Sequence, residues 1–532
     1  MKRIFLCALL AASAPSFAQT TIPATPTLHA NAAFKGLQFD WAPAARASWY
    51  QLEYRAHKTG DFVELVDDFP ASVNSTHFSF PLHLYDWTYA RYRLAACNSA
   101  GCSRSAEVSV SSLRRDAVGY FKASSPSSYG EFGSSLDLSP DGYNFVAAAP
   151  GESDNENGVE HDGLVYVFRR GSKGVWTQRA RLTTPVPPYV DSHDIPASMD
   201  VTISGTGNTV AVGLPDYLHQ ADDASAGEVQ VFQWNGASWK RTQVPRVPAA
   251  VFGVTVQLSA SGLTLAVALR SQQGGSQVAI YKLVNGVWQN ARTISAKTSA
   301  ESCGYRGFSR DGSTLAQLCT LQQTGGNPKL YVRTWSGDNW TVSTDIPLQS
   351  SVPSSFGYVS AGFGISANGD TIAAQISAQN AQARGDSQVH VFKRGSSGAY
   401  SKVAELIAGT WSNGYLYGYA LALSGDGATM SVGDFADAGK GTGPRAAPLL
   451  AGGPWAGGVY IYRLSGSWKL ANMVKPNYLT GLSDEAFGRV LALSNSGKTL
   501  LIGHPAESSG SAGIGGDWDN TDSTWSGAVW MY

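Results

Sequence analysis

The sequence predicts an all-β chain, a small β-sandwich followed by a seven-bladed β-propeller, and three observations predict it. Composition is the first: 58 Gly, 15 Trp and 23 Tyr among 532 residues, with only 15% charged residues, suit many short strands joined by tight turns. The second is period-two alternation of apolar and polar residues within the first hundred positions. The third is a strand-turn-strand pattern that recurs seven times between residue 117 and Tyr532.

The chain opens with Lys2 and Arg3, an apolar run from Ile4 to Ala12, and Ser16, Phe17 and Ala18 before Gln19. Residues 1–18 read as a secretory signal peptide cleaved after Ala18. The mature protein is therefore expected in the periplasm, at the cell surface or in the medium. No window approaches the roughly 18 uninterrupted apolar residues of a membrane span. Lys+Arg 39 against Asp+Glu 40, with no basic run interleaved with aromatics, removes nucleic acid from the expected partners. A monomer is the expected state. Cys97 with Cys102 and Cys303 with Cys319 form two local pairs. In an oxidising compartment two disulfides are expected, with free buried thiols as the alternative.

Residues 20–113 carry the alternation. Leu37, Phe39 and Trp41, then Tyr50, Leu52 and Tyr54, mark two half-buried strands. Further strands are expected around Phe62 to Leu65, His77 to Phe80, Tyr89 to Cys97 and Glu107 to Ser111, enough for a sandwich. The segments LQFDWAP (Leu37 to Pro43), YQLEYR (Tyr50 to Arg55) and YRLAACNSAGCS (Tyr92 to Ser103) resemble a fibronectin type III domain. That resemblance implies a spacer or interaction module, with Trp41 as core. At the family's tyrosine-corner position this chain has Ala90, with Tyr89 one residue early.

Residues 117–532 carry the repeat. Its first copy reads FGSSLDLSPDGYNFVAAAP, then GLVYVF, then VWTQ, and its turn glycine is Gly142. The equivalents are Gly207, Gly262, Gly312, Gly369, Gly427 and Gly497. Asp-Gly and Asn-Gly pairs there supply the positive φ of a tight hairpin. The strand after each turn is continuously apolar, as TLAVAL at Thr264 to Leu269, and so is expected to be buried on both faces. The next alternates, as GEVQVF at Gly227 to Phe232. Trp176, Trp239, Trp288, Trp340 and Trp468, with Tyr400 in the fifth unit, open a fourth strand. Four antiparallel strands per unit describe a propeller. The seventh unit lacks its fourth strand, and AVGYFKASSP at Ala117 to Pro126 is expected to supply it and close the ring.

Phe132-Gly133, Phe252-Gly253 and Phe487-Gly488, with Tyr417-Gly418 as a variant, stand at a fixed distance before the turn glycine. This pattern resembles the FG-GAP repeats of integrin α-chain propellers and their bacterial relatives. The second and fourth units have Ala197-Ser198 and Ser302-Cys303 instead, and Phe356-Gly357 is displaced by three residues.

Loops between second and third strands hold the candidate ligand-binding residues Asp154, Glu156, Asp216, His219, Asp222, Asp434, Trp455, Trp518 and Trp525. Carboxylates and indoles on loops over a rigid scaffold suit a cation or a sugar ring, against the plain alternative of solvated turns. Asp517, Asp519 and Asp522 are the candidate metal ligands, calcium being the cation their oxygens suit. They lack the full alternating acidic loop. Arg384-Gly385-Asp386 spells an adhesion tripeptide but leads directly into a strand. No metalloprotease, serine-hydrolase or phosphate-loop motif is present. The expected function is non-catalytic recognition of a glycan or protein through the loop face. The alternatives are a polysaccharide hydrolase or lyase and a structural subunit of an envelope assembly.

Overall fold

The computed structural model describes residues 21–532 apart from 67, 153–162, 173, 185–198, 216–226, 248–249, 272–275, 297–300, 322–327, 338, 349–355, 359–361, 380–386, 408–415, 440, 446–455 and 478–485. The described chain separates into two compact units, the first ending at Arg114 and the second holding Arg115–Tyr532 together with Ser79–Tyr85.

In the first unit, Leu28–Ala33, Gly36–Trp41 and Ser75–Ser79 form one antiparallel sheet. A second sheet is built on Trp49–Arg55 and Arg91–Asn98, flanked by Val63–Glu64 and Gly101–Arg104. Alternate residues of Gly36–Trp41 turn inward, and Phe39 meets Tyr92 of the other sheet with ring centroids 4.7 Å apart. Trp41, Tyr50 and Leu52 are buried with them. Tyr89 points out to solvent while Ala90 is buried, so the chain enters Arg91–Asn98 with the smaller side chain inward. Leu28–Ala33 escapes the sequence reading because LHANAA has no strong alternation. Cys97 and Cys102 face each other across the hairpin Arg91–Asn98/Gly101–Arg104 and are disulfide-bonded.

The second unit is made of four-stranded antiparallel sheets in chain order, one of them with its first strand broken in two. Their first strands are Leu136–Leu138, Asp200–Ile203, Ala250–Leu258, Glu301–Phe308, Phe363–Ile365 (with Phe356–Tyr358), Ala420–Leu423 and Val490–Leu493. Each packs against the first strand of the following sheet, and Val490–Leu493 packs against Leu136–Leu138. The cycle is closed. In the last sheet the outer strand is Gly119–Phe121, antiparallel to Ala528–Met531 with Tyr120 opposite Trp530. Second strands such as Asn144–Ala149 and Thr209–Leu214 are buried at every position, as continuous apolar runs require.

In every sheet the same turn joins the first strand to the second. Gly142, Gly207, Gly262, Gly312, Gly369, Gly427 and Gly497 have φ between 66° and 77°, a region that favours glycine. Their amides donate to the carbonyls of Ser139, Ser204, Ser259, Ser309, Ser366, Ser424 and Ser494 at 2.8–3.0 Å. Each serine hydroxyl then accepts the amide five residues on, at 2.9–3.2 Å. Turn and strand are thereby locked together.

The turns also bond to one another. Gly205 N donates to Ala260 O, Ala260 N to Arg310 O, Asp311 N to Ala367 O, Ala367 N to Gly425 O, Gly425 N to Asn495 O, and Asn495 N to Pro140 O, at 2.6–3.1 Å. Pro140 has no N–H to continue the series toward Gly205. At that junction Arg310 reaches in from the fourth sheet, donating to Ile203 O at 3.2 Å and Leu138 O at 3.1 Å and pairing with Asp137. A side chain thus closes the gap that proline leaves.

Cys303 and Cys319 are cross-strand partners within the fourth sheet and form the second disulfide.

Candidate functional site

The loop-side surface is built where each third strand begins. Gly133, Gly253, Gly418 and Gly488 share φ of 83–89°, and the preceding Phe or Tyr is buried in all four. A Cβ on Gly227, Gly457 or Gly527 would come within 2.0–2.3 Å of backbone atoms of Phe252, Phe487 or Phe132 in the next sheet. The aromatic-glycine pair and the glycine before the third strand are therefore two halves of one close contact between sheets.

Between the first and last sheets this contact carries an unusual surface. Tyr129 N donates to Thr524 O at 2.7 Å, Glu131 N to Trp525 O at 2.9 Å and Phe132 N to Ser526 O at 3.0 Å. Tyr129, Glu131 and Trp525 have φ of 61°, 52° and 53°. Ala486, before Phe487-Gly488, repeats the conformation of Glu131 at 57°, so that one belongs to the repeat. Tyr129 and Trp525 are different. Each left-handed non-glycine residue costs roughly 1–2 kcal/mol, held here by the surrounding hydrogen bonds. Their rings sit edge to face, centroids 5.9 Å apart, and are 54% and 41% exposed. Among the described residues Trp525 is the one exposed tryptophan.

Beneath the pair lies Glu152. Its carboxylate accepts the Tyr166 hydroxyl, and a Cβ on Gly130 would stand 3.2 Å from its Oε1, which has no hydrogen-bond partner among the described residues. Burial pushes its pKa up to about 7. Only 1% exposed, it packs under the loop at Gly130.

Two buried ion pairs each brace one sheet from within, one in the last sheet and one in the sheet before it. Lys122 Nζ meets Glu507 Oε2 at 2.7 Å, with Tyr120 OH donating to Glu507 Oε1 at 3.0 Å. Lys475 Nζ meets Asp437 Oδ1 at 2.5 Å, with Tyr460 OH donating to Asp437 Oδ2. Sequence reasoning missed both. Glu507 and Asp437 stand three residues beyond the second strand's last residue in their sheets, a spacing that could have flagged them.

The sequence candidates divide as follows. Trp525 stands on the surface. Asp434 does not: as the last residue of its strand it is 1% exposed, and its Oδ1 accepts the Ala436 amide at 3.2 Å. It is a buried turn-former, which corrects the loop-ligand reading. Trp518 is half-buried, with the Arg115 guanidinium 5.3 Å from its ring and Trp530 packed edge-on. Asp517, Asp519 and Asp522 are exposed. Asp517 Oδ1 accepts the Asp519 amide at 2.9 Å, and the Asp517 carbonyl accepts Ser509 Oγ and Asn520 Nδ2. Among the described residues no three His, Cys, Asp or Glu side chains converge on a metal position. Asp154, Glu156, Asp216, His219, Asp222, Trp455 and the triplet Arg384-Gly385-Asp386 lie outside the described residues. Among the described residues no helix is long and apolar enough to cross a membrane.

A cycle of four-stranded antiparallel sheets packed through their first strands fits a β-propeller. No protein-family model matches the chain, and no curated protein matches it in sequence. Among solved structures it is similar to the periplasmic gluconolactonase PpgL of Pseudomonas aeruginosa, 16% identical over 82% of this chain and 97% of that one, with a TM-score of 0.41. The β-propeller domain of Cps50 (Swd1) from Myceliophteria thermophila is 10% identical over 78% of this chain and 99% of its own, at 0.43. TolB of Acinetobacter baumannii is 11% identical over 72% and 79%, at 0.29. The class rests on the sheets themselves, and no activity is carried over from these proteins.

Proposed function

We propose that the chain is an exported, non-catalytic binding protein, a fibronectin type III-like sandwich followed by a seven-bladed FG-GAP-type propeller, that recognises a glycan on the propeller's loop face. The exposed Tyr129–Trp525 pair carries this reading. Two large rings held out to solvent by left-handed backbone match the expectation that strain collects where a ligand is met, and a flat indole face offers apolar area that suits a sugar ring. The shared conformation of Gly133, Gly253, Gly418 and Gly488 supports the repeat assignment. Two disulfides and the amino-terminal leader support export.

The test is a glycan panel followed by calorimetry with the mature protein and with Trp525→Ala. Binding should fall at least about tenfold in the variant, while the unfolding midpoint stays put, since a surface substitution moves stability by about 0.5 kcal/mol or less. A panel without any binder, or a variant that binds as well as the parent, removes the glycan reading.

A further inference from the structure

The first strands line a half-open cavity of about 200 Å³ on the ring axis. One wall is apolar, with Phe363, Ile365 and Leu421, while Asp137, Arg306 and Arg310 supply the charges. Asp137 is committed. It pairs with Arg310 and accepts the Thr202 hydroxyl at 2.8 Å and the Ile203 amide at 2.9 Å.

Arg306 has no such partner. The strand register shifts between Tyr305 and Gly307, and this bulge lifts Arg306 out of the ladder and re-aims its side chain. The guanidinium lies 3.9 Å from where a Cβ on Gly304 would stand, and Gly307 gives the Phe363 ring room that a Cβ, at 2.5 Å, would deny. Arg306 is half-buried, its Nε is enclosed, and no hydrogen bond or ion pair reaches it among the described residues. Burial lowers its pKa, with no carboxylate acting against the shift. A guanidinium partly withdrawn from water without a counter-charge carries part of the cost of burying a charge. An anion supplied from outside would relieve that cost.

We propose that the ring axis is a binding site for a small amphipathic carboxylate, its anionic end on the Arg306 guanidinium and its apolar part against Phe363, Ile365 and Leu421. The planar guanidinium matches a carboxylate through two parallel hydrogen bonds. A cavity of about 150 Å³ accepts benzene, so this one takes a ring or short chain bearing one carboxylate. The site is separate from the Tyr129–Trp525 surface and does not depend on what binds there.

The experiment is calorimetric titration of the mature protein with benzoate and with benzyl alcohol, a neutral molecule of similar shape. Benzoate should bind more tightly than the alcohol, and Arg306→Gln should weaken benzoate at least about tenfold while leaving the alcohol unchanged. Arg306→Lys should retain part of the benzoate affinity. Ile365→Phe, which fills the cavity, should weaken both probes. Absence of benzoate binding, equal affinity for the two probes, or benzoate binding unchanged in Arg306→Gln would each overturn the proposal.

Discussion

The ring has two arcs that solve one problem differently. Two residues before the turn serine, the first four sheets in order have Asp137, Thr202, Gln257 and Gly307, and the remaining three have Gly364, Ala422 and Ala492. On the polar arc these side chains accept backbone amides of the neighbouring first strand: Asp137 from Ile203, Thr202 from Leu258, Gln257 from Phe308, at 2.9–3.1 Å. Ser135 and Asp200, two positions earlier, do the same for Val201 and Val256. From Gly307 onward the position is small, and apolar side chains fill the space, Phe363 over Gly307 and Leu421 beside Gly364. At this position directional side-chain bonds join the sheets of one arc, and shape joins those of the other. The first should therefore be brittle toward loss of a single polar group, and the second tolerant of swaps that conserve volume.

The largest effect is expected at Arg310, the cross-ring staple. Arg310→Met should cost about 3 kcal/mol in denaturant unfolding, the lower end of what losing one partner of a buried pair costs. Leu421→Met on the opposite arc should cost about 1 kcal/mol or less. Equal losses would end the distinction between the arcs.

A second comparison uses pH. Between-sheet burial pushes Asp200 up to about 6 from 3.8. The native state then holds a proton that the unfolded chain has released, so its contribution is full below about pH 4 and is lost as pH rises through 6. His390, in the fifth sheet, is pushed by burial down to about 4 from 6.5. Its contribution is present above pH 6.5 and lost as pH falls through 4. Relative to the parent, stability at pH 4.5 minus that at pH 7 should fall in Asp200→Asn and rise in His390→Gln, read from urea midpoints. Shifts of the same sign would contradict the assignment.

The smallest effect is expected at Pro140. Pro140→Ala restores the N–H missing from the turn series but loosens the unfolded chain, so stability should change by about 1 kcal/mol or less. In the Arg310→Met background it should recover part of the loss, because the two devices close one junction. Strict additivity of the two changes would show that they do not.

The turn glycines, the apolar second strands and the closing segment before residue 126 were legible because each is a local pattern of residue types. The polar arc was legible as letters but not as chemistry: Asp137 and Gln257 acquire meaning only from amides in the next sheet. Arg306 was hidden by a bulge that no periodicity announces. Asp434 misled because its position, at the end of a strand rather than in the loop after it, decides whether a carboxylate meets water. Trp525 could be found from its loop, whereas its companion Tyr129 comes from a segment about 400 residues earlier in the sequence.

The closing strand has a consequence in time. Tyr120 and Glu507, bonded in the finished ring, are 387 residues apart in sequence. Gly119–Phe121 is synthesised before, and its partner Ala528–Met531 after, all the sheets between them, so the circle stays open while those sheets emerge. Contacts of such separation form slowly, and an unpaired edge left waiting is one that a second copy could occupy. Passage across a membrane as an unfolded thread would defer every strand equally, and let the two ends meet on the far side before either finds a stranger.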